Sequence, residues 1–208
     1  MSSVGQSSVR YSRNDIIAAA LRLLDDVGLA DLTMRRLAHS LDLQASALYW
    51  HVADKQTMLA AVADRILAQA PPVPEGLGWE EALAAHAHTL REALLAYRDA
   101  AEVVASSVAL GLGGEQIIMR LRFAVSAGGF DADTTRAGAS AILHFVLGHV
   151  WHEQQRTHAD SVGVTSPGVA TGVNDFEVPS SSASADFDFG VALLVGGLVA
   201  QRSKARHL

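Results

Sequence analysis

Between residues 33 and 55 the chain sets out Thr33, Arg35, Gln44, Ala45, Ser46, Tyr49, Trp50, His51 and Lys55, a run of cationic, amide, hydroxyl, small and aromatic side chains. Groups of these kinds pair with phosphates, hydrogen-bond to base edges and pack against thymine methyls, which is the chemistry of reading a duplex. Bond-making chemistry has weaker support. His152-Glu153 opens like a zinc-protease signature, but that motif needs a second His four residues after the first, and position 156 is Arg. No Ser/His/Asp or paired-carboxylate spacing stands out, and no glycine-rich loop is built to cradle phosphate. His149 and His152, three apart on one helix face, could share a transition metal only if His86 or His144 joined them. His86 and His88 are two apart and point to different sides of a helix. The reading adopted has no metal, no cofactor and no catalytic residue.

The elements that would hold the run can be read from periodicity. Leu37 and Leu41 lie four apart with Ala38 beside them, a buried stripe that starts behind Thr33, whose hydroxyl can cap the helix start. Asp42-Leu43-Gln44 breaks the pattern, with Leu43 plugging the gap between two helices. Residues 45–51 then form a second short helix with Leu48 inward and Ala45, Ser46, Tyr49 and Trp50 outward. Small residues at its front let the backbone enter the major groove, about 12 Å wide. Arg35 on the preceding helix is the candidate for a bidentate contact to guanine. Upstream, Ser12-Arg-Asn-Asp15 is a capping box opening a helix with Ile16, Ile17, Ala20, Leu21, Leu24 and Val27 on one face. Gly28 supplies a left-handed stop. A fourth helix starts at Asp54, with Met58, Leu59, Val62, Ile66 and Leu67 inward. Short helix pairs with exposed Arg and Tyr also occur in all-α domains that touch no DNA.

The segment 12–67, above all Leu48-Tyr-Trp-His-Val52 with Lys55, resembles the N-terminal domain of the tetracycline repressor family of bacterial transcription factors. Tyr97-Arg-Asp99, Gly129-Phe130, His144-Phe-Val-Leu-Gly148 and Phe189-Gly190 fall in the order seen in the family's tetracycline-binding members, so the resemblance covers nearly the whole chain. It implies an all-α fold, with an N-terminal three-helix helix-turn-helix domain and a C-terminal helical domain for ligand binding and dimerisation. It also implies a homodimer, double-stranded DNA carrying a palindromic operator as partner, and a small ligand that releases the protein from it.

Composition agrees. The chain has 208 residues, half of them hydrophobic, enough for a sizeable core in one or two domains. It contains no cysteine, which excludes disulfides and Cys-ligated metals and fits a reducing cytoplasm. No stretch is expected to approach the roughly 20 apolar residues of a membrane span, and residues 1–11 read as a polar, disordered tip without a signal-peptide core. Net charge is −6, against expectation for a DNA binder. Residues 1–70, however, carry seven basic and seven acidic side chains, so the whole excess falls later. Phosphate contacts should therefore be few, and two heads about 34 Å apart must share the work.

The prolines of Pro71-Pro-Val-Pro74, followed by Gly76 and Gly78, mark a boundary, giving a head over 12–70 and a second domain over 71–208. Helices are expected over 79–97, 100–107, 116–127 and 134–158, then a mobile loop over 159–185. A last helix begins near Asp186 and is apolar on every side from Gly190 to Ala200. Gly190 and Gly197 would let it approach the 134–158 helix of both subunits, in a four-helix interface with Phe145, Trp151 and Leu194. Burial within one monomer is the alternative.

The resemblance also bears on the ligand. Val104 and Ser107-Val108-Ala109 stand where the tetracycline-binding members carry a metal-ligating His and a Thr-Arg-Pro turn. His152 replaces an acidic residue that holds magnesium-bound water from the other subunit, and His86 and Leu90 replace tetracycline contacts. Magnesium prefers oxygen ligands, which these positions lack. The expectation is a largely apolar organic effector without magnesium, lined by Leu90, Val104, Ile118 and Leu121 and oriented by His86, Ser107, His149 and His152. Two alternatives stay open: a ligand carrier of this fold that binds no DNA, and a His-dependent metal protein or enzyme.

Overall fold

The computed structural model describes residues 11–161 and 183–205. Nine helices and no strand occur among them: α1 (Arg13–Val27), α2 (Met34–Ser40), α3 (Ala45–Leu48), α4 (Lys55–Leu67), α5 (Trp79–Leu95), α6 (Ala100–Ala109), α7 (Glu115–Ser126), α8 (Ala132–Ser161) and α9 (Ala183–Ala205). The fold is therefore all-α, with a small N-terminal head of α1–α4 and a larger helical core of α5–α9.

The helix starts are written in side chains. At α1 the Ser12 hydroxyl accepts the Asp15 N–H and the Asp15 carboxylate accepts the Ser12 N–H, the expected capping box. The Ser12 hydroxyl, donating to the Asp15 carboxylate at 2.7 Å, and then the Ser12 N–H hold the exposed Asp15 carboxyl below its usual range, and the Thr57 N–H does the same for Asp54 at the start of α4. Thr33 caps α2 by accepting the Arg36 N–H at 3.1 Å. Ile16, Ile17, Ala20, Leu21 and Leu24 of α1 are buried in one core with Leu37, Leu48, Met58 and Val62, while Val27 is only half-buried. Gly28 stops α1 differently from expectation. Its φ of 80° is paired with a ψ of 171°, an extended mirror-image conformation rather than a left-handed helical one.

In the core, α5 and α8 are the central layer. α5 packs on α7, α8 and α9, and α8 touches α6, α7 and α9. Phe187 of α9 is fully buried, ringed by Phe145, His149 and His88, with the Arg91 guanidinium 5.1 Å from its ring centre. Arg91 makes a bidentate pair with Glu153 at 2.6 and 2.9 Å, so the largely buried cation is matched. Gln154 spans the α5–α6 corner, donating to the Leu94 and Tyr97 carbonyls and accepting the Ala101 N–H.

Three expectations are corrected here. The loop placed at 159–185 is shorter, because α8 continues to Ser161 and α9 begins at Ala183; what is expected of 162–182 lies outside the described residues. The tip placed at 1–11 overlaps Tyr11, which is half-buried and packs on the core, and residues 1–10 lie outside the described range. Finally, α9 from Ala183 to Ser203 is long and apolar enough to cross a membrane, with mean hydropathy 1.5, contrary to the expectation that no segment is. Counting only from Gly190 to Ala200 missed the apolar residues that precede it. Part of its apolar character is used internally, since Phe187 and Val191 are buried against the core.

Gly190 is what lets α9 close: a Cβ built there would collide with the Phe145 ring. Replacing Gly190 with Ala should therefore lower stability by about 1–3 kcal/mol, the usual cost of overpacking a well-filled contact, measurable as a lower urea midpoint.

Candidate nucleic-acid interface and effector core

The recognition element is short. Only residues 45–48 form regular α-helix, prolonged by the turn bonds from the His51 and Val52 N–H groups to the Leu48 carbonyl. One turn of helix has no stability of its own, so tertiary burial must hold it. Leu48 and Val52 supply that burial, and Leu43 packs half-buried between α2 and α3. Around this anchor Gln44, Ser46, Tyr49 and Trp50 are all exposed, Tyr49 at 54% and Trp50 at 90% of full accessibility. Ala45, His51 and Lys55 lie at the edges of the same surface, and Thr33 stands at the α2 cap. Arg35 and Arg36 differ. Arg36 is engaged by the Asp31 carboxylate at 3.1 Å and the Asp31 carbonyl, whereas Arg35 is exposed with no ion-pair partner among the described residues.

Besides the packing of α4 on α5 and α6, hydrogen bonds at three places join this head to the core. On α1, the Asp99 carboxylate accepts the Leu29 N–H at 2.8 Å, and the Arg98 N–H donates to Asp25 at 3.0 Å. A Cβ on Gly28 would lie 2.9 Å from the Asp99 carboxylate and 3.0 Å from Arg98 Nε, so glycine is needed for the joint to close. On α4, the Asp64 carboxylate accepts the Gly114 N–H at 2.8 Å from the α6–α7 turn. Tyr97 reaches back to Gln69 just before the linker, its hydroxyl donating at 2.8 Å.

The residues expected to line an effector site are not gathered in one cavity. Leu90, Val104 and Leu121 are packed into the core, and the Ser107 hydroxyl, also buried, donates to the Val103 carbonyl. His149 is half-buried and its Nε2 lies 3.0 Å from the Ala183 carbonyl, a joint between α8 and α9. Ile118 faces a groove beside α4 and the α6–α7 turn. His152 lines an apolar groove of about 430 Å³ between α6 and α8, with His144, Leu147 and Trp151. His86 lines a cavity of about 510 Å³ with the interdomain linker, Trp79, Arg120 and Phe123. Sequence reasoning missed Arg120, Phe123 and the linker as site residues. Their only signal was that Arg120 and Phe123 lie three apart, on one face of α7. Among the described residues no three His, Cys, Asp or Glu side chains converge as a metal site.

The residues expected at a dimer interface also divide. Phe145 is half-buried and Gly190 is used by it, so both serve packing within the chain. Leu194 is half-buried against the core, whereas Trp151 is exposed and a Cβ built on Gly197 would meet nothing within 4 Å. Phe189 and Leu193 extend this open apolar face, at 66% and 60% of full accessibility.

A capped helix followed by a short second helix with protruding aromatic residues, on an all-α core, defines a helix-turn-helix regulator. Residues 16–62 match the family of bacterial regulatory proteins of the tetR type, and residues 70–202 match the tetracycline repressor-like C-terminal domain. The chain belongs to the TetR family and is a ligand-responsive, DNA-binding regulator of transcription. It is 34% identical over 203 residues to the class E tetracycline repressor of Escherichia coli, covering 95% of each chain. Mycobacterium smegmatis BioQ is similar in structure, with TM-score 0.79 and 40% identity over 92% of this chain and 99% of BioQ. A BioQ structure at 37% identity and TM-score 0.74, covering 92% and 99%, contains its double-stranded DNA operator. Streptomyces coelicolor ActR in complex with actinorhodin superposes with TM-score 0.77 at 26% identity, over 93% and 99% of the two chains.

Burial, and then the Arg120 charge, push the half-buried His86 imidazole below its ordinary value of 6.5. A depressed His pKa favours the neutral ring in the fold, so stability is full above about 6.5 and is lost as pH falls from there through the folded value. Thermal melts from about pH 7.5 to about pH 5 should show this loss, and His86→Gln should flatten part of the slope.

Proposed function

We propose that two copies of this chain pair through the exposed apolar face of α9 and the outer side of α8 around Trp151, and grip a palindromic operator as a repressor. The single observation that carries the reading is Trp50 at 90% exposure beside Tyr49, on a one-turn helix whose buried residue is Leu48. The division of labour follows the linker: residues 12–70 meet DNA and 71–208 bind the effector and the second copy.

On the operator, Thr33, Arg35, Gln44, Ala45, Ser46, Tyr49, Trp50, His51 and Lys55 form the contact surface. Arg35 reads a guanine, since it is not already committed as Arg36 is. Two heads about 34 Å apart meet successive major grooves. The core takes a small organic effector without magnesium, and a shift in the joints at Asp99 and Gly114 then misplaces the heads. A ligand preferring the released state ~10³-fold supplies about 4 kcal/mol, enough to empty a site. The relatives named above are regulators rather than enzymes, and we assign no reaction to this chain. DNA binding places its work in the cytoplasm.

The test is selection of bound fragments from the host genome, followed by anisotropy titrations on a recovered palindrome. Arg35→Ala should weaken binding by roughly tenfold or more, the loss of one bidentate base contact, and Tyr49→Ala should weaken it too, with the oligomer unchanged in both. Raising salt should weaken the wild type with a shallow slope, because few phosphates are neutralised. Operator affinity untouched by both substitutions would overturn the assignment of this surface.

A further inference from the structure

The cavity beneath the interdomain linker brings together uncommitted charge, apolar walls and the covalent tie between head and core. Its floor is α5 and α7, with Ala82, Ala124 and Ala127 giving depth, and its roof is the linker from Pro72 to Leu77. Trp79 is a fixed wall. Its ring meets Phe130 edge-on with centroids 5.2 Å apart, and Gly128 is the residue that lets those rings close, since a Cβ there would lie 2.9 Å from the Trp79 ring. About 510 Å³ is within the range of small-molecule sites.

The polar groups are few and unspent. Arg120 lines the cavity and has neither an ion pair nor a side-chain hydrogen bond among the described residues. The His86 ring is likewise without a hydrogen-bond partner there, and its neutral form is favoured by burial and by the neighbouring guanidinium. Glu75, the acidic residue in the lining, is exposed on the linker and makes no ion pair with Arg120. Arg120 is itself exposed, so the charge left to be matched stands at the mouth of the cavity and is positive. A guanidinium over apolar walls fits a planar carboxylate bonded through two oxygens, while the neutral imidazole can donate to or accept from a second polar atom.

We propose that this cavity takes an apolar carboxylic acid, held by Arg120 and His86 against Trp79 and Phe123, and that the acid controls operator binding by bracing the linker. The inference rests on the regulator reading above and names its effector class. The route to the head is short. Ala70 lines the cavity, and the residue before it, Gln69, holds the Tyr97 hydroxyl next to the Arg98-Asp99 joint. A ligand pressing on residues 72–77 thus acts on the C-terminal end of α4 and on that joint together.

The experiment uses full-length protein and three matched pairs: benzoate, 2-naphthoate and octanoate, each with its primary amide. Calorimetric binding and release of operator are measured near neutral pH, where the carboxylates are ionised, for wild type, Arg120→Gln and Arg122→Gln, the last lining a different groove. At least one acid should bind about tenfold tighter than its amide, the strength of a charge-assisted pair over a neutral one. Arg120→Gln should bring that ratio near one, and Arg122→Gln should leave it unchanged. The same acid should release operator from wild type and not from Arg120→Gln. No acid preference in any pair, including no binding by either member, overturns the proposal, as does a preference that survives Arg120→Gln. Operator binding without ligand separates the two failures: if it is present, only the effector class falls; if it is absent, the regulator reading falls first.

Discussion

The Asp99 carboxylate, seated on the Leu29 N–H just past the end of α1, ties the head to the α5–α6 corner of the core. Asp99 reaches it from a backbone with φ of 54°, a conformation that a non-glycine residue adopts only when its surroundings hold it. Those surroundings are Gly28, which leaves room, and Gln154, which fixes the α5–α6 corner from below. A hydrogen bond to a charged group contributes about 1.5–3 kcal/mol. Coupling between sites in allosteric proteins runs at about 1–3 kcal/mol. Making or breaking this single bond is therefore of the size needed to turn occupancy in the core into a change at the head.

The second joint, from Asp64 to the Gly114 N–H, constrains the same head from a different side. With α1 held by the α5–α6 corner and α4 held by the α6–α7 turn, the head cannot pivot at one point alone. Both turns flank α6, and α6 packs on α4 and on α8. A displacement of α6 relative to α8 would load both joints together, which makes the motion a concerted one rather than a loosening of the tether.

The head was legible in the sequence because its elements are local. Ser12 with Asp15, and Thr33 before a leucine stripe, specify helix starts within three or four residues, and Leu48 between polar and aromatic neighbours specifies which side faces out. The effector region was not legible in the same way. Leu90, Val104 and Leu121 have the pattern of a pocket lining and of a packed core alike, and only the fold decides for the core. Arg120 and Phe123 look like the solvent face of an amphipathic helix, and both stay exposed in the fold, where they flank the linker at the mouth of a cavity. Gly190 has the pattern of a residue of close approach, and within the chain what approaches it is Phe145, whereas Gly197 is left open.

Leu48 and Val52 anchor the recognition turn, and Gln44, Ser46, Tyr49 and Trp50 around them are exposed. Surface positions away from packed features tolerate exchange with small effects on stability. In this protein those tolerant positions are the ones we propose to meet the operator. Binding preference can accordingly drift over generations without endangering the scaffold, so duplicated copies of such a gene are free to acquire new target sequences while keeping the same joints and the same sensor.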